Sequence, residues 1–384
     1  MKFIIILNLI VSSVIGVFHL LLIDISFSLK ALAVFNLLYA TYLFFKTSRS
    51  FKLNYLIVFF IVSTLLCIQF FFSLDNKINR VVVDFLAILV PMFYFMFISS
   101  CNFKSESREN LALLLDSLMK FIVYWSIFIM FVMYAMKYGL GLHFNLTFGS
   151  PLIALAAAVA MYHKRYAFLI ACFVIVILSG KRSIMIFTFL CVLGVHTLIL
   201  FANFSLHRAI KSLSKLLISI AVIITALLSS WDSLVELNPK LKKVEYLLSQ
   251  DADVYQKSTG RTDEITQAYE MADFSHLDSL LVGLGMGTEF EISFDKYDTT
   301  KEKNNIHFTP LNIYLKYGLF FLCAFYLILL ALSIRVRRKA ALPVNIYCFF
   351  YVSFYTMTNF GVVVDYSFWA LLSFLTSVNS GDRV

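Results

Sequence analysis

The sequence predicts an all-α, polytopic integral membrane protein with about 12 transmembrane helices and one large outward-facing helical loop. Three observations predict it. Sixty per cent of the 384 residues are hydrophobic and only 14% charged, with a mean hydropathy of +0.84, far from the balance of a soluble domain. Apolar runs recur along most of the chain, several reaching the ~20 residues that a helix needs to cross a bilayer. Basic residues gather in alternate connections between those runs.

In order, the runs are 3–23, 29–45, 53–73, 81–99, 117–137, 149–162, 166–178, 183–202, 212–230, 309–333, 343–360 and 362–378. Those at 149–162 and 166–178 are short. They form either one irregular hairpin or two tilted helices, so ten or eleven spans are the alternatives to twelve. The first run is long and no A-x-A-like site follows it, which makes it a retained span and not a signal peptide. With the N-terminus inside, the cytoplasmic segments hold 17 Lys and Arg residues, while the short outer loops hold six: Lys30, Lys77, Arg80, Lys137, Lys181 and Arg182. Both termini are therefore expected in the cytoplasm. The same bias accounts for the net charge of +9, so no nucleic acid is called for. The six cysteines (Cys67, Cys101, Cys172, Cys191, Cys323 and Cys348) lie in or at the edge of runs. Their placement predicts neither structural disulfides nor a cysteine metal site.

The chain thus divides into residues 1–230 with nine spans, an outer loop at 231–308, and residues 309–384 with three spans. The loop carries 15 of the 23 acidic residues. A connection that long is either functional or disordered, and the pattern argues for order. "ELNPKLKKVEYLLSQ" sets Leu237, Leu241, Val244 and Leu248 on one helical face, and "RTDEITQAYEMA" does the same with Ile265, Ala268 or Tyr269, and Ala272. "DSLLVGLGMGTEF" is a glycine-rich turn, and an acidic linker leads from it to His307. The expectation is a small helical cap on the membrane's outer face.

Candidate chemistry collects on the outer side. His307 borders the loop and the run at 309–333. Thr309 is suited to capping that helix and Pro310 to its first turn, so a positive dipole end points at the same spot. As a mere interfacial anchor, the histidine needs no chemistry. Lys316, four residues beyond Asn312, lies only ~10 Å below the helix start at ~1.5 Å per residue. An ammonium there needs a polar cavity or a partner unless it snorkels outward. Lys181 and Arg182 in "LSGKRSIMIF" run against the positive-inside bias and call for a negative partner, either a phosphate-bearing ligand or Asp84 or Asp365. Arg261 opens a loop helix in "STGRTDE"; alone it reads as a solvated arginine. Arg80 is a further outer cation, and His143 is a rival outer histidine. "GLGMG" lacks the spacing and the strand context of a dinucleotide loop. "DAD" (Asp251, Ala252, Asp253) matches the D-x-D of soluble sugar transferases, but no nucleotide-binding domain surrounds it. Together these cations suggest an anionic substrate at the outer membrane surface, without naming it.

Four segments, in order, carry a resemblance. "SGKRS" opens a span, Gly260–Arg261 opens a loop helix, "LVGLGMG" makes a G-x-G turn, and "IHFTPLNIYLKYGLFFL" leads into the next span. In this order and topology, covering roughly 150 to 335, the chain resembles the O-antigen polymerase and O-antigen ligase superfamily of GT-C type membrane glycosyltransferases. It departs from the family pattern at Phe308, where Asn or Ser is commoner, and at Pro310. The resemblance implies transfer of a glycan from an undecaprenyl-diphosphate donor to a hydroxyl outside the bacterial cytoplasmic (inner) membrane, with no metal, cofactor or nucleotide sugar. It implies catalytic roles for Arg182 and Arg261 on the diphosphate, and for His307 on the acceptor hydroxyl or as a cation beside the diphosphate. Lys181, Lys316, Asn312 and Arg80 are the expected substrate-binding residues. Expected partners are the undecaprenyl-diphosphate-linked oligosaccharide, membrane lipid, a chain-length regulator and a flippase. The compact chain and its richness in Phe and Tyr (41 and 20) favour a polymerase by association. A ligase acting on lipid A-core and, from another class, a lipid-linked oligosaccharide flippase are the alternatives.

Overall fold

The structure is a computed structural model. It describes residues 2–20, 26–46, 53–100, 108–141, 150–202, 225, 229–238, 241–242, 261–271, 277–294, 299–334, 339–359 and 365–378. These are nearly all helical. Four helices are long and apolar enough to cross a membrane: Ile78–Ser100, Leu111–Gly139, Arg182–Phe201 and Thr309–Ile334. Shorter apolar stretches include Ile5–Val14, Ala33–Leu43, Leu56–Phe72 and Tyr366–Thr376. The helices are compatible with a membrane protein; the count of twelve spans rests on the hydropathy alone, and the run at 212–230 lies largely outside the described residues.

The first eight helices are α1 (Lys2–Leu20), α2 (Ser26–Lys46), α3 (Leu53–Phe72), α4 (Ile78–Ser100), α5 (Arg108–Tyr134), α6 (Leu152–Tyr162), α7 (Tyr166–Leu178) and α8 (Arg182–Ala202). The two short runs resolve into two helices. Lys164, with φ of 57°, turns the chain between α6 and α7. At ~1.5 Å per residue, the 11 residues of α6 cover ~16 Å, about half of a ~30 Å hydrocarbon core. Every residue from Leu152 to Ala160 is buried. The alanines of "LIALAAAVA" let α5 and α8 pack closely against it, as small residues do between membrane helices.

At the α6–α7 turn, Asp116 of α5 pairs with Lys120 at 2.7 Å and Arg165 at 3.6 Å, and Lys2 donates to Ser117 Oγ. Lys2, Lys120 and Arg165 are all among the 17 basic residues that the charge bias places on the cytoplasmic side. The α7–α8 turn lies at the opposite end of α7, beside a polar cap.

That cap contains α9 (Trp231–Leu237), α10 (Arg261–Glu270), α11 (Leu277–Val282) and an antiparallel hairpin of β1 (Phe290–Phe294) and β2 (Thr299–Lys303). The hairpin corrects the expectation of a wholly helical cap with an acidic linker. "FEISF" alternates with period two: Phe290 and Ile292 are buried, while Glu291 and Ser293 face solvent. The cap has its own small core of Ala268, Phe290, Ile292 and Ile306, with Leu311 and Leu315 from the next helix. Ile265 and Ala268 face inward and Tyr269 outward. Leu241 is buried, whereas Val244, Leu248 and Ala272 lie outside the described residues.

The chain then enters α12 (Thr309–Ile334), followed by α13 (Leu342–Ser353) and α14 (Tyr366–Val378). The expected single span at 309–333 is two helical pieces across a break at Gly318 (φ 79°, ψ 173°), backbone space open essentially to glycine alone. A Cβ on Gly318 would stand 2.0 Å from the Leu281 carbonyl oxygen, and one on Gly283 would stand 2.6 Å from that of Leu315. Two missing side chains thus let the backbone of the "GLGMG" turn rest on the backbone of α12. Leu284 N–H donates to the Leu315 carbonyl at 2.6 Å, and Gln69 donates from α3 to the Lys316 carbonyl at 3.0 Å.

Candidate functional site

The α7–α8 turn positions Arg182. Ser179 Oγ donates to the Val176 carbonyl at 2.6 Å and accepts the Lys181 N–H at 3.3 Å. Gly180 takes the left-handed conformation (φ 63°), which ends α7 without Cβ strain. The Lys181 carbonyl accepts the first N–H groups of α8, from Ile184 and Met185 at 3.1 Å. Arg182 is therefore the first residue of a long helix. Asn238, just beyond α9, donates to the Leu178 carbonyl at 2.8 Å and ties the cap to this turn.

Arg261 is the first residue of α10. It lies within electrostatic range of Arg182, Glu264 and Tyr355. Burial lowers its pKa from the ordinary value, and the charge of Glu264 opposes that. Among the described residues no carboxylate stands at ion-pair distance from it. Burial likewise lowers the pKa of Lys181.

One turn along α10, Glu264 has a side chain only 3% exposed. Its Oε2 lies 2.9 Å from His307 Nδ1, and its Oε1 accepts the His307 backbone N–H at 3.2 Å. Lys303, at the end of β2, stands 3.4 Å from the same Oε1. Burial works against ionisation of Glu264; the hydrogen bond and charge of His307, with Lys303, outweigh it and hold the carboxyl below its ordinary pKa. His307 itself is half exposed (51%). Thr309 does not cap α12: Phe308 supplies the first carbonyl, accepting Asn312 N–H at 3.0 Å, and Thr309 Oγ1 donates to the Asn359 carbonyl. Pro310 does sit in the first turn.

Other candidates hold the frame together. Lys316 is 1% exposed and reaches Asp84 Oδ2 at 2.7 Å and Asn305 Oδ1 at 3.1 Å; it does not snorkel. Asp84 also accepts the Gly287 N–H at 2.8 Å. Its partner is thus Lys316 and the glycine turn. Asn312 accepts the Ile306 N–H and donates to Asn305, both at 3.3 Å. Arg80 donates to Asn304 at 2.7 Å and pairs with Glu289, which also holds Lys77 at 2.6 Å. Asp365 caps α14, accepting the N–H groups of Ser367 and Phe368 at 3.0 and 3.2 Å and the Tyr351 hydroxyl at 2.9 Å. His143, the "DAD" residues and Gly260 lie outside the described residues.

Sequence reasoning missed Glu264. The available signal was an acid four residues before Ala268, on the stripe that faces the cap core. No family model matches the chain, and no curated protein matches it.

Proposed function

We propose that this protein polymerises lipid-linked oligosaccharide repeat units of a surface polysaccharide. It transfers the glycan from an undecaprenyl-diphosphate donor to a sugar hydroxyl of a second lipid-linked unit, on the outer side of a bacterial cytoplasmic membrane. One observation carries the reading. Arg182 and Arg261, 79 residues apart in the chain, lie within electrostatic range of each other at the end of the bundle where His307 rests on Glu264. Two guanidiniums within electrostatic range of each other in a partly buried place repel, and a bridging anion reverses the sign.

In the proposed reaction the acceptor oxygen bonds to the donor sugar's anomeric carbon while that carbon's bond to the diphosphate oxygen breaks. The acceptor proton passes to His307, and undecaprenyl diphosphate leaves with the negative charge that Arg182 and Arg261 stabilise. With lipid A-core as the acceptor the same steps amount to ligation.

Purified protein with lipid-linked repeat units, EDTA and no nucleotide sugar is expected to give a ladder of chain lengths. Arg182→Ala and Arg261→Ala should each abolish it at normal protein level, and Lys at either position should recover little, lacking the guanidinium fork. Wild-type ladders from both Lys variants would remove the diphosphate assignment. The break in α12 favours a second reading, a lipid-linked oligosaccharide transporter, since transporters use discontinuous helices. The Leu315 and Lys316 carbonyls freed there are taken by Leu284 and Gln69, which weakens it. Translocation in vesicles without chain growth would establish the transporter instead.

A further inference from the structure

We propose that Glu264 is a positioning residue for His307, holding the proton on Nδ1 so that Nε2 is the nitrogen that faces the acceptor hydroxyl. The inference rests on the polymerase reading for its kinetic consequence only.

An ionised carboxylate accepts hydrogen bonds and donates none. With Oε2 at 2.9 Å from Nδ1, the proton between them must therefore belong to the imidazole. Glu264 is buried, and Lys303 and the His307 backbone N–H both address its Oε1, an arrangement suited to the ionised form. Three interactions then fix one side chain: the carboxylate binds the ring of His307, its backbone N–H and the lysine at the end of β2. In the neutral ring Nε2 is left with its lone pair. No hydrogen bond to Nε2 is formed among the described residues, and the side chain is half exposed. Arg261 lies one helical turn from Glu264, so the residue that orients the base and a cation proposed for the leaving group share one short helix. The bond from the backbone N–H holds the chain at residue 307, whereas the bond to the ring nitrogen also sets which nitrogen carries the proton.

The experiment uses full-length protein in detergent with ¹⁵N-labelled histidine, the His307 signal assigned from a His307→Asn variant. Wild type is expected to show the Nδ1–H tautomer at His307, and Glu264→Gln should lose that preference. In the polymerisation assay, Glu264→Gln should lower kcat at least tenfold, towards the ~10⁴ that loss of tautomer control costs a histidine base, with KM for the lipid-linked unit little changed. Glu264→Gln placed on His307→Ala should cost nothing further. An Nε2–H tautomer in wild type overturns the inference, as does an unchanged kcat in Glu264→Gln. If Glu264→Gln does not reach the membrane, Glu264→Asp serves, since its shorter carboxylate cannot keep 2.9 Å. A wild-type protein that makes no polymer overturns the polymerase reading alone, and the tautomer still decides the role of Glu264.

Discussion

Glu264 and Lys316 are both charged, and both are almost wholly buried, yet their energetics differ. Glu264 has a folded pKa below its ordinary value of 4.5, through His307 and Lys303 acting against desolvation. Its contribution to stability is therefore fully present above pH 4.5 and is lost as pH falls through the lower folded value. Thermal unfolding in detergent should show wild type losing stability over that acid window, and Glu264→Gln losing less. An equal acid slope in the two proteins would assign the loss to other carboxylates. Lys316 and Asp84 form a buried pair at 2.7 Å. Lys316→Ala should destabilise by about 3–5 kcal/mol because it strands Asp84 in an apolar setting. Lys316→Met with Asp84→Leu should recover much of that. A double variant no better than the single would mean that the Asp84 contact with Gly287 carries the stability.

At the scale of elements, the site depends on how α12 begins. The piece before Gly318 belongs to the cap as much as to the bundle, since Leu311 and Leu315 complete the cap core. The break lets this piece follow the cap while the rest of the helix follows its neighbours. Gly318→Ala forces a positive φ on a residue with a Cβ, about 1–3 kcal/mol in itself, and meets the Leu281 carbonyl as well. We expect a clear fall in Tm and loss of the ladder, with the same direction for Gly283→Ala. Gly139→Ala, where a Cβ meets nothing within 4 Å, should leave Tm unchanged. Equal Tm values for Gly318→Ala and Gly139→Ala would show that the break does not depend on glycine.

For the whole molecule, the proposed chemistry requires the cap and the α3–α4 turn to face outward, and the Asp116 cluster to face the cytoplasm. Lys77 is 66% exposed at the cap end, and Arg165 is 54% exposed at the other. In a background without native cysteines, Lys77→Cys in intact cells should react with a membrane-impermeant thiol reagent, and Arg165→Cys only after permeabilisation. The reverse pattern would invert the orientation and place the arginines on the wrong side for a lipid-linked donor.

Hydropathy is a local sum, so the sequence by itself determined the apolar, nearly all-helical character that is compatible with a membrane protein, and the outsized polar loop. Residue type at a border likewise singled out Arg182, Arg261 and His307 one at a time. Their relations were not legible, because each depends on elements far apart in the chain. "FEISF" became a strand only with "TTKEK" to pair with, and an apolar run became two helices only where Gly318 meets Leu281. Lys316 needed a polar cavity or a partner that its own run does not contain, and packing brings it Asp84, 232 residues away. Glu264 looked like one acid among fifteen until the cap core buried it beside His307. A buried charge takes its character from the partner that tertiary packing delivers, and that partner is not written in its neighbours.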